Sequence, residues 1–264
     1  MESAMKSYLI NLDRSQDRLE FMASEFERHG ILFERVSAVD GRQLSDVERK
    51  SLASLSERWP APLSPVEIGC FLSHRRCLER IATGEDEFAV IFEDDVRLSQ
   101  GAARLLSTSD WIPDDADIVK IESHGAQVLI SRTVKLEGPY SIARLLSRHL
   151  LSAGYIISRK AAQRLLPLME KTPAPLDHFL FDPDDGPFSN MIVYQCSPAI
   201  CRQAGLESTL GVRGKSKKRP TLFKLIGREL QRSIKRSKRN IVGAWTNITA
   251  NGKWGPVPAD TDII

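Results

Sequence analysis

The stretch Phe88-Ala89-Val90-Ile91-Phe92-Glu93-Asp94-Asp95-Val96 constrains the fold of this chain more than any other. Five apolar residues run directly into three consecutive carboxylates. A short unbroken apolar run suits a strand buried on both faces, as in a parallel sheet. Three adjacent charges cannot follow it into a core, because burying unpaired carboxylates is too costly. The strand is therefore expected to end near Glu93, with the acids at its carboxyl end, the edge where open α/β sheets bind ligands. Carboxylates gathered there suit a hard divalent cation, and such a cation suits a phosphorylated substrate. The alternative is a solvated acidic turn.

The residues around this stretch supply an α/β frame. Lys6 to Asn11 reads as a first strand. Asp13 reads as a helix cap with Gln16 three residues on, and Leu19, Met22, Ala23 and Phe26 follow at helical spacing up to Gly30. Ile31 to Val39 reads as a second strand, which completes a β-α-β opening. Arg14 and Arg18 fall in the first turns of that helix. Helix N-termini attract anions, so the pair suits phosphate; two solvated arginines are the alternative. Leu44 to Arg58 reads as an exposed helix broken by Trp59-Pro60-Ala61-Pro62.

Ser64-Pro65-Val66-Glu67 is a strong helix start, with Ser as the cap, Pro at the first position and Glu completing the box. Glu67, Phe71 and His74 then share one face. Glu67 is a cap or a functional carboxylate, with the cap the more economical reading. His74 is a phosphate or sugar contact or a structural histidine. Ala116 to Ile121 is a further strand with Glu122 and His124 at its end, and Val128 to Tyr140 reads as one or two strands of an insertion. Ala153 to Ser158 is a strand running into a helix capped by Ser158. Gly154 marks a close approach by a ligand or by backbone. Leu176 to Phe181 reads as one helical turn inside a proline-rich segment. Asp177 and His178 are polar in an apolar patch there, the pattern of side chains held in a low-dielectric pocket. Ile192 to Ser197 is a last strand.

At 264 residues the chain is long enough to bury a core unaided. None of its four cysteines forms a CxxC pair, so nothing demands disulfides and a cytoplasmic setting is expected. Met1 to Ile10 carries no signal-type apolar region, and no run of 18 apolar residues occurs. Charge is uneven. Residues 213–239 hold twelve Lys/Arg and one acid, a net of +11, which leaves −8 on the rest of a chain whose total is +3. Leu222, Leu225, Ile226 and Ile234 can share a face of that segment. A basic amphipathic helix of this kind suits an anionic membrane surface. Nucleic acid is less favoured, since Phe223 is the segment's one aromatic residue and stacking is poorly supplied. A nucleotidyltransferase reading lacks a Gly-rich phosphate loop with a lysine. Residues 243–264 show weak periodicity and read as an irregular tail.

Four blocks in this order resemble glycosyltransferase family 25, the bacterial lipooligosaccharide glycosyltransferases related to collagen galactosyltransferases. They are Tyr8-Leu9-Ile10-Asn11-Leu12-Asp13-Arg14-Ser15 with Asp17-Arg18; Glu67-Ile68-Gly69-Cys70-Phe71-Leu72-Ser73-His74; Val90-Ile91-Phe92-Glu93-Asp94-Asp95-Val96; and Ala153-Gly154-Tyr155-Ile156-Ile157-Ser158. The resemblance implies a GT-A type nucleotide-binding α/β fold over residues 1–212, with a mostly parallel mixed sheet flanked by helices and the basic segment 213–264 outside it. It implies UDP-galactose as donor, inversion at the anomeric carbon, and Glu93-Asp94-Asp95 standing as the DxD-like element. Asp95, with Glu93, is then expected to hold Mn²⁺ or Mg²⁺. Asn11, Arg14, Arg18, Asp94 and Gly154 are expected to meet the donor nucleotide. Inversion needs one carboxylate to accept the acceptor's proton, with Asp177 the first choice and Glu122 the second. The acceptor would be a glycolipid or oligosaccharide at the inner face of the bacterial inner membrane. A family member that has lost activity and serves as a scaffold would carry the same motifs.

Overall fold

The computed structural model describes residues 4–56, 58–206 and 252–263. In chain order the elements are β1 (Lys6–Asn11), α1 (Gln16–Arg28), β2 (Phe33–Ser37), α2 (Asp46–Leu52), α3 (Pro65–Thr83), β3 (Phe88–Glu93), β4 (Val96–Leu98), α4 (Ala102–Leu106), β5 (Ile118–Lys120), β6 (Gln127–Ile130), β7 (Val134–Lys135), β8 (Ser141–Arg144), β9 (Gly154–Ser158), α5 (Arg159–Leu165), α6 (Leu176–Phe181), β10 (Val193–Ser197), β11 (Cys201–Gln203) and β12 (Lys253–Pro256). Eight strands form one sheet in the order β2-β1-β3-β9-β5-β10-β8-β7. The β1–β2, β1–β3 and β5–β10 pairs are parallel, while β9 runs against both β3 and β5, and β8 against β10 and β7. The sheet is thus mixed, with β9 and β8 the two reversed strands among the described residues.

Alternation along the strands divides the core into two layers. Tyr8, Ile10, Ala89, Ile91, Tyr155 and Ile157 face α3, α5 and α6. Leu9, Val90, Phe92 and Ile156 face α1 and α4, where Met22, Phe26, Leu105 and Leu106 meet them. Phe88 to Phe92 are all buried, and Glu93 is the first residue of β3 that is not. The apolar run and the acid that stops it are therefore one structural statement: the strand is covered on both faces until its carboxyl end leaves the sheet.

Three local expectations change. Helix α1 begins after Ser15, whose side chain makes no cap bond, and not after Asp13, whose carboxylate is taken by the Arg35 guanidinium and by the Ser37 hydroxyl at 2.9 Å. Helix α2 stops at Leu52, well short of Arg58. The stretch 243–264 is not wholly irregular, since β12 pairs antiparallel with β6. Beyond it Val257 and Ile263 are buried and Tyr140 donates to Asp260 at 2.5 Å, so residues 252–263 belong to the folded body. The expected basic helix over 213–239 lies outside the described residues.

Candidate active site

Parallel pairing of β1 with β3 sets Ile10 opposite Glu93, so Asn11, the last residue of β1, and Asp94, the first residue past β3, become neighbours. The Asn11 amide donates to Asp94 Oδ2 at 2.8 Å and to the Ser15 carbonyl at 3.0 Å, and its oxygen accepts from Arg35 Nε at 3.1 Å. One turn into α1, Arg18 donates to the other oxygen of Asp94 and lies 3.8 Å from Asp95 Oδ2. The first β-α-β unit therefore delivers an amide and a guanidinium onto the acidic turn.

Helix α3 forms the facing wall. Its first half packs against the chain leaving β2 through a glycine crossing. A Cβ on Gly69 would stand 2.5 Å from the Val39 carbonyl oxygen, and one on Gly41 would overlap the Pro65 carbonyl. Ser73 binds the same loop, accepting from the Val39 N–H at 2.8 Å. This close approach brings Cys70 and His74 to a cavity of about 270 Å³ that Asn11, Arg14, Arg18, Glu93, Asp94, Asp95 and Leu151 also line.

Charge within the cavity is uneven. Burial acts to raise the Glu93 carboxyl, but hydrogen bonds from His74 and Ser152 outweigh it and hold it below its ordinary range. His74 Nε2 lies 3.3 Å and Ser152 Oγ 3.0 Å from Glu93 Oε1. Asp95 goes the other way. Burial first, then the charges of Glu93, Asp94 and Glu122, push it up to about 7 against the pull of Arg18. Its Oδ1 is buried with no hydrogen-bond partner. A carboxylate oxygen held this way lacks a positive partner, and a hard divalent cation is the partner its chemistry fits.

The other expected site residues separate into those at the cavity and those away from it. Arg14 is half exposed at the rim and paired with Asp40. Asn11 and Asp94 line the cavity, yet the Asn11 side chain is fully committed to protein partners, so it orients Asp94 rather than offering a free amide. Gly154 does not line the cavity: it is buried in β9, and a Cβ there would stand 2.3 Å from Cys201 Sγ. Its close neighbour is the Cys201 side chain of β11, which pairs with β4 rather than with β9. Glu67 completes the capping box with Ser64, whose N–H donates to it at 2.8 Å. Glu122 is wholly buried beside Lys120 at 3.6 Å and accepts from the Ala153 N–H at 2.9 Å. Burial raises it to about 7 despite Lys120, but it is enclosed and cannot meet an acceptor hydroxyl. Asp177 does not itself line the cavity but is tied to its wall, accepting from the N–H of the lining residue Leu151 at 3.3 Å and from the His178 N–H of its own helix at 2.9 Å.

Several members of the site are not marked as site residues by any local pattern. Ser152, Leu151 and the buried Tyr155 hydroxyl, 2.9 Å from His74 Nδ1, come from the start of β9 and the loop before it. Leu151 has φ +76°, a left-handed conformation costly for a branched side chain. Its N–H is held by Asp177 and its carbonyl by the buried Lys120 ammonium. Cys70 stands one turn before His74 in α3, on the same face.

Comparison with known proteins agrees with these motifs. Residues 4–180 match glycosyltransferase family 25 (LPS biosynthesis protein). The chain is 33% identical over 212 residues to the lacto-N-neotetraose biosynthesis glycosyltransferase LgtB of Neisseria gonorrhoeae, covering 75% of this chain and 74% of that protein. It is 27% identical over 210 residues to the lipooligosaccharide biosynthesis protein lic2B of Haemophilus influenzae, covering 75% and 76%. Among solved structures, a glycosyltransferase involved in glycosylation of the PBCV-1 major capsid aligns with TM-score 0.43 at 8% identity, covering 78% of this chain and 94% of that one. With an α/β sheet whose acidic turn, helix α1 and helix α3 enclose one cavity, and with four motifs in family order, the chain belongs to glycosyltransferase family 25.

Proposed function

We propose that the chain transfers a hexose, galactose before others, from a UDP-sugar to a lipopolysaccharide or lipooligosaccharide acceptor, inverting the anomeric carbon. The observation that carries this reading is the unpartnered Asp95 Oδ1 beside a cavity that also holds Glu93, Arg14 and Arg18. Asp95, with the second oxygen of Glu93, would hold Mn²⁺ or Mg²⁺, which when bound supplies countercharge for a departing diphosphate. Arg14 at the rim adds positive charge on the nucleotide side. Arg18 and Asn11 fix Asp94, so the acidic turn keeps one geometry while the donor enters. The acceptor hydroxyl gives its proton to Asp177 as the new bond forms opposite the leaving nucleotide. Leu151 lines the cavity and its N–H donates to Asp177, which supports placing the base beside the acceptor's approach. The family's description as LPS biosynthesis proteins and the name of the lipooligosaccharide biosynthesis protein lic2B support the acceptor class.

The test is a thermal-shift screen of UDP-Gal, UDP-Glc, UDP-GlcNAc and UDP-GalNAc, each with and without Mn²⁺. A ligand present at about a hundred times its Kd stabilises the folded state by roughly 2.7 kcal/mol. A metal-dependent shift, largest for UDP-Gal and lost in Asp95→Asn, is the expected result. Equal melting with every nucleotide would sink the reading.

The run 213–239 would hold the enzyme at an anionic membrane surface where such acceptors are built. Among the described residues no helix is long and apolar enough to cross a membrane.

A further inference from the structure

Two side chains on the α3 wall have no part in the transfer chemistry above. Cys70 and His74 are one helical turn apart and so share a face. Glu93 meets them from the end of β3. One ligand atom from each, a sulfur, an imidazole nitrogen and a carboxylate oxygen, lies within 4.8 Å of the other two. All three residues line the cavity.

His74 Nε2 and Glu93 Oε1 are 3.3 Å apart. Nitrogen and oxygen ligands on a tetrahedral zinc, at roughly 2.0–2.2 Å from the ion, stand about 3.4 Å from each other. The pair already spans one edge of such a tetrahedron. A hydrogen bond accounts for that separation equally well, but it does not account for a thiol at the third corner. The groups behind the ligands have the form of outer partners at histidine metal sites. The buried Tyr155 hydroxyl meets His74 Nδ1 at 2.9 Å and aims Nε2 at the cavity. Ser152 donates to Glu93 at 3.0 Å. One sulfur, one nitrogen and one oxygen make a borderline-soft donor set, suited to Zn²⁺ or Co²⁺ and poorly suited to Mg²⁺. Three protein ligands with the cavity on the fourth side leave an open coordination position.

We propose that Cys70, His74 and Glu93 form a second cation site, selective for zinc-class ions, that inhibits the enzyme by drawing Glu93 away from the ion held at Asp95. Binding converts the Cys70 thiol to a thiolate: the S–H bond breaks, its proton leaves to solvent and a sulfur–metal bond forms, with no change of oxidation state. Burial, then the charges of Glu93, Asp177 and Asp95, keep that thiol protonated when no ion is present. The site itself stands apart from the sugar-transfer reading; only its inhibitory effect rests on it.

The test is a Co²⁺ titration of the reduced full chain. An intense near-ultraviolet thiolate-to-cobalt band, titrated away by Zn²⁺ and missing in Cys70→Ser, is the expected result. Melting temperature and UDP binding check that the variant is folded. On the unaltered protein, Zn²⁺ should slow iodoacetamide labelling of Cys70 at least tenfold, read by peptide mass spectrometry, where equal Mn²⁺ does not. In transfer assays at saturating Mn²⁺, the Zn²⁺ concentration for half inhibition should rise at least tenfold in Cys70→Ser, each protein scaled to its own zinc-free rate. Absence of the thiolate band, its survival in Cys70→Ser, or labelling of Cys70 indifferent to Zn²⁺ would each overturn the site. Loss of sugar transfer alone would leave the cobalt spectrum intact and count only against the transferase reading.

Discussion

Glu93 and Asp95 stand two residues apart and are driven in opposite directions, Glu93 down by donated hydrogen bonds and Asp95 up to about 7 by burial and neighbouring acids. Because the folded state holds the Asp95 proton more tightly than the unfolded chain, Asp95 lowers stability as pH rises from about 4 to about 7, and the loss is complete above that. Asp95→Asn is therefore expected to stabilise the metal-free protein at pH 8 by roughly 1–3 kcal/mol and to leave it little changed at pH 4, which melting curves at the two pH values measure. The same proton competes with any cation, so Mn²⁺ affinity in the unaltered protein should fall about tenfold per pH unit below pH 7; titration calorimetry across pH 5–8 reads this slope. Asp177→Asn keeps an oxygen for the Leu151 N–H while removing the basic carboxylate. It is expected to lower kcat by about 10²–10⁴ with UDP binding retained, and full turnover in that variant would exclude Asp177 as the base.

At the scale of elements, β9 shows how packing and site are joined. Gly154 makes room for Cys201, which enters the sheet from the β4–β11 pair. Gly154→Ala should cost about 1–3 kcal/mol through overpacking. Adding Cys201→Ala should return part of that loss, a coupling that a double-mutant cycle in denaturant reads directly. The elements that were legible in the sequence carry their signals locally: the capping box at Ser64 and Glu67, the Ser158 cap that accepts from the Ala161 N–H, the apolar run of β3, and the turn of α6. Those that were not depend on distant partners. Strands β4 and β11 are three residues each and exist because they pair with one another. Asp13 has the chemistry of a cap but is claimed by Arg35 and Ser37 from β2, which no local pattern announces. The site divides in the same way. The acidic turn, Arg18 and His74 could be read from sequence, whereas Ser152, Tyr155 and the left-handed Leu151 belong to it only because β9 is inserted antiparallel beside β3.

For the whole molecule, the decisive contrast is between an acidic body and the basic run 213–239. Replacing four of its Lys/Arg by Gln is expected to lower partition onto anionic vesicles on the order of a hundredfold or more, at about 1 kcal/mol per basic residue, with UDP-sugar binding unchanged; vesicle sedimentation measures it, and unaltered partition would remove the membrane role. Truncation after residue 212 is a poorer test, because it also strips β12, Val257 and Ile263 from the body. The chain on either side of the basic run is thus fastened to the same scaffold, through β11 before it and β12 after it. A protease recognition site engineered between residues 206 and 252 should accordingly yield two polypeptides on a denaturing gel that still elute together by size exclusion. The final residues, made as a separate peptide, should complement a shortened chain in trans, so that assembly of the glycosyltransferase could be placed under the control of added peptide.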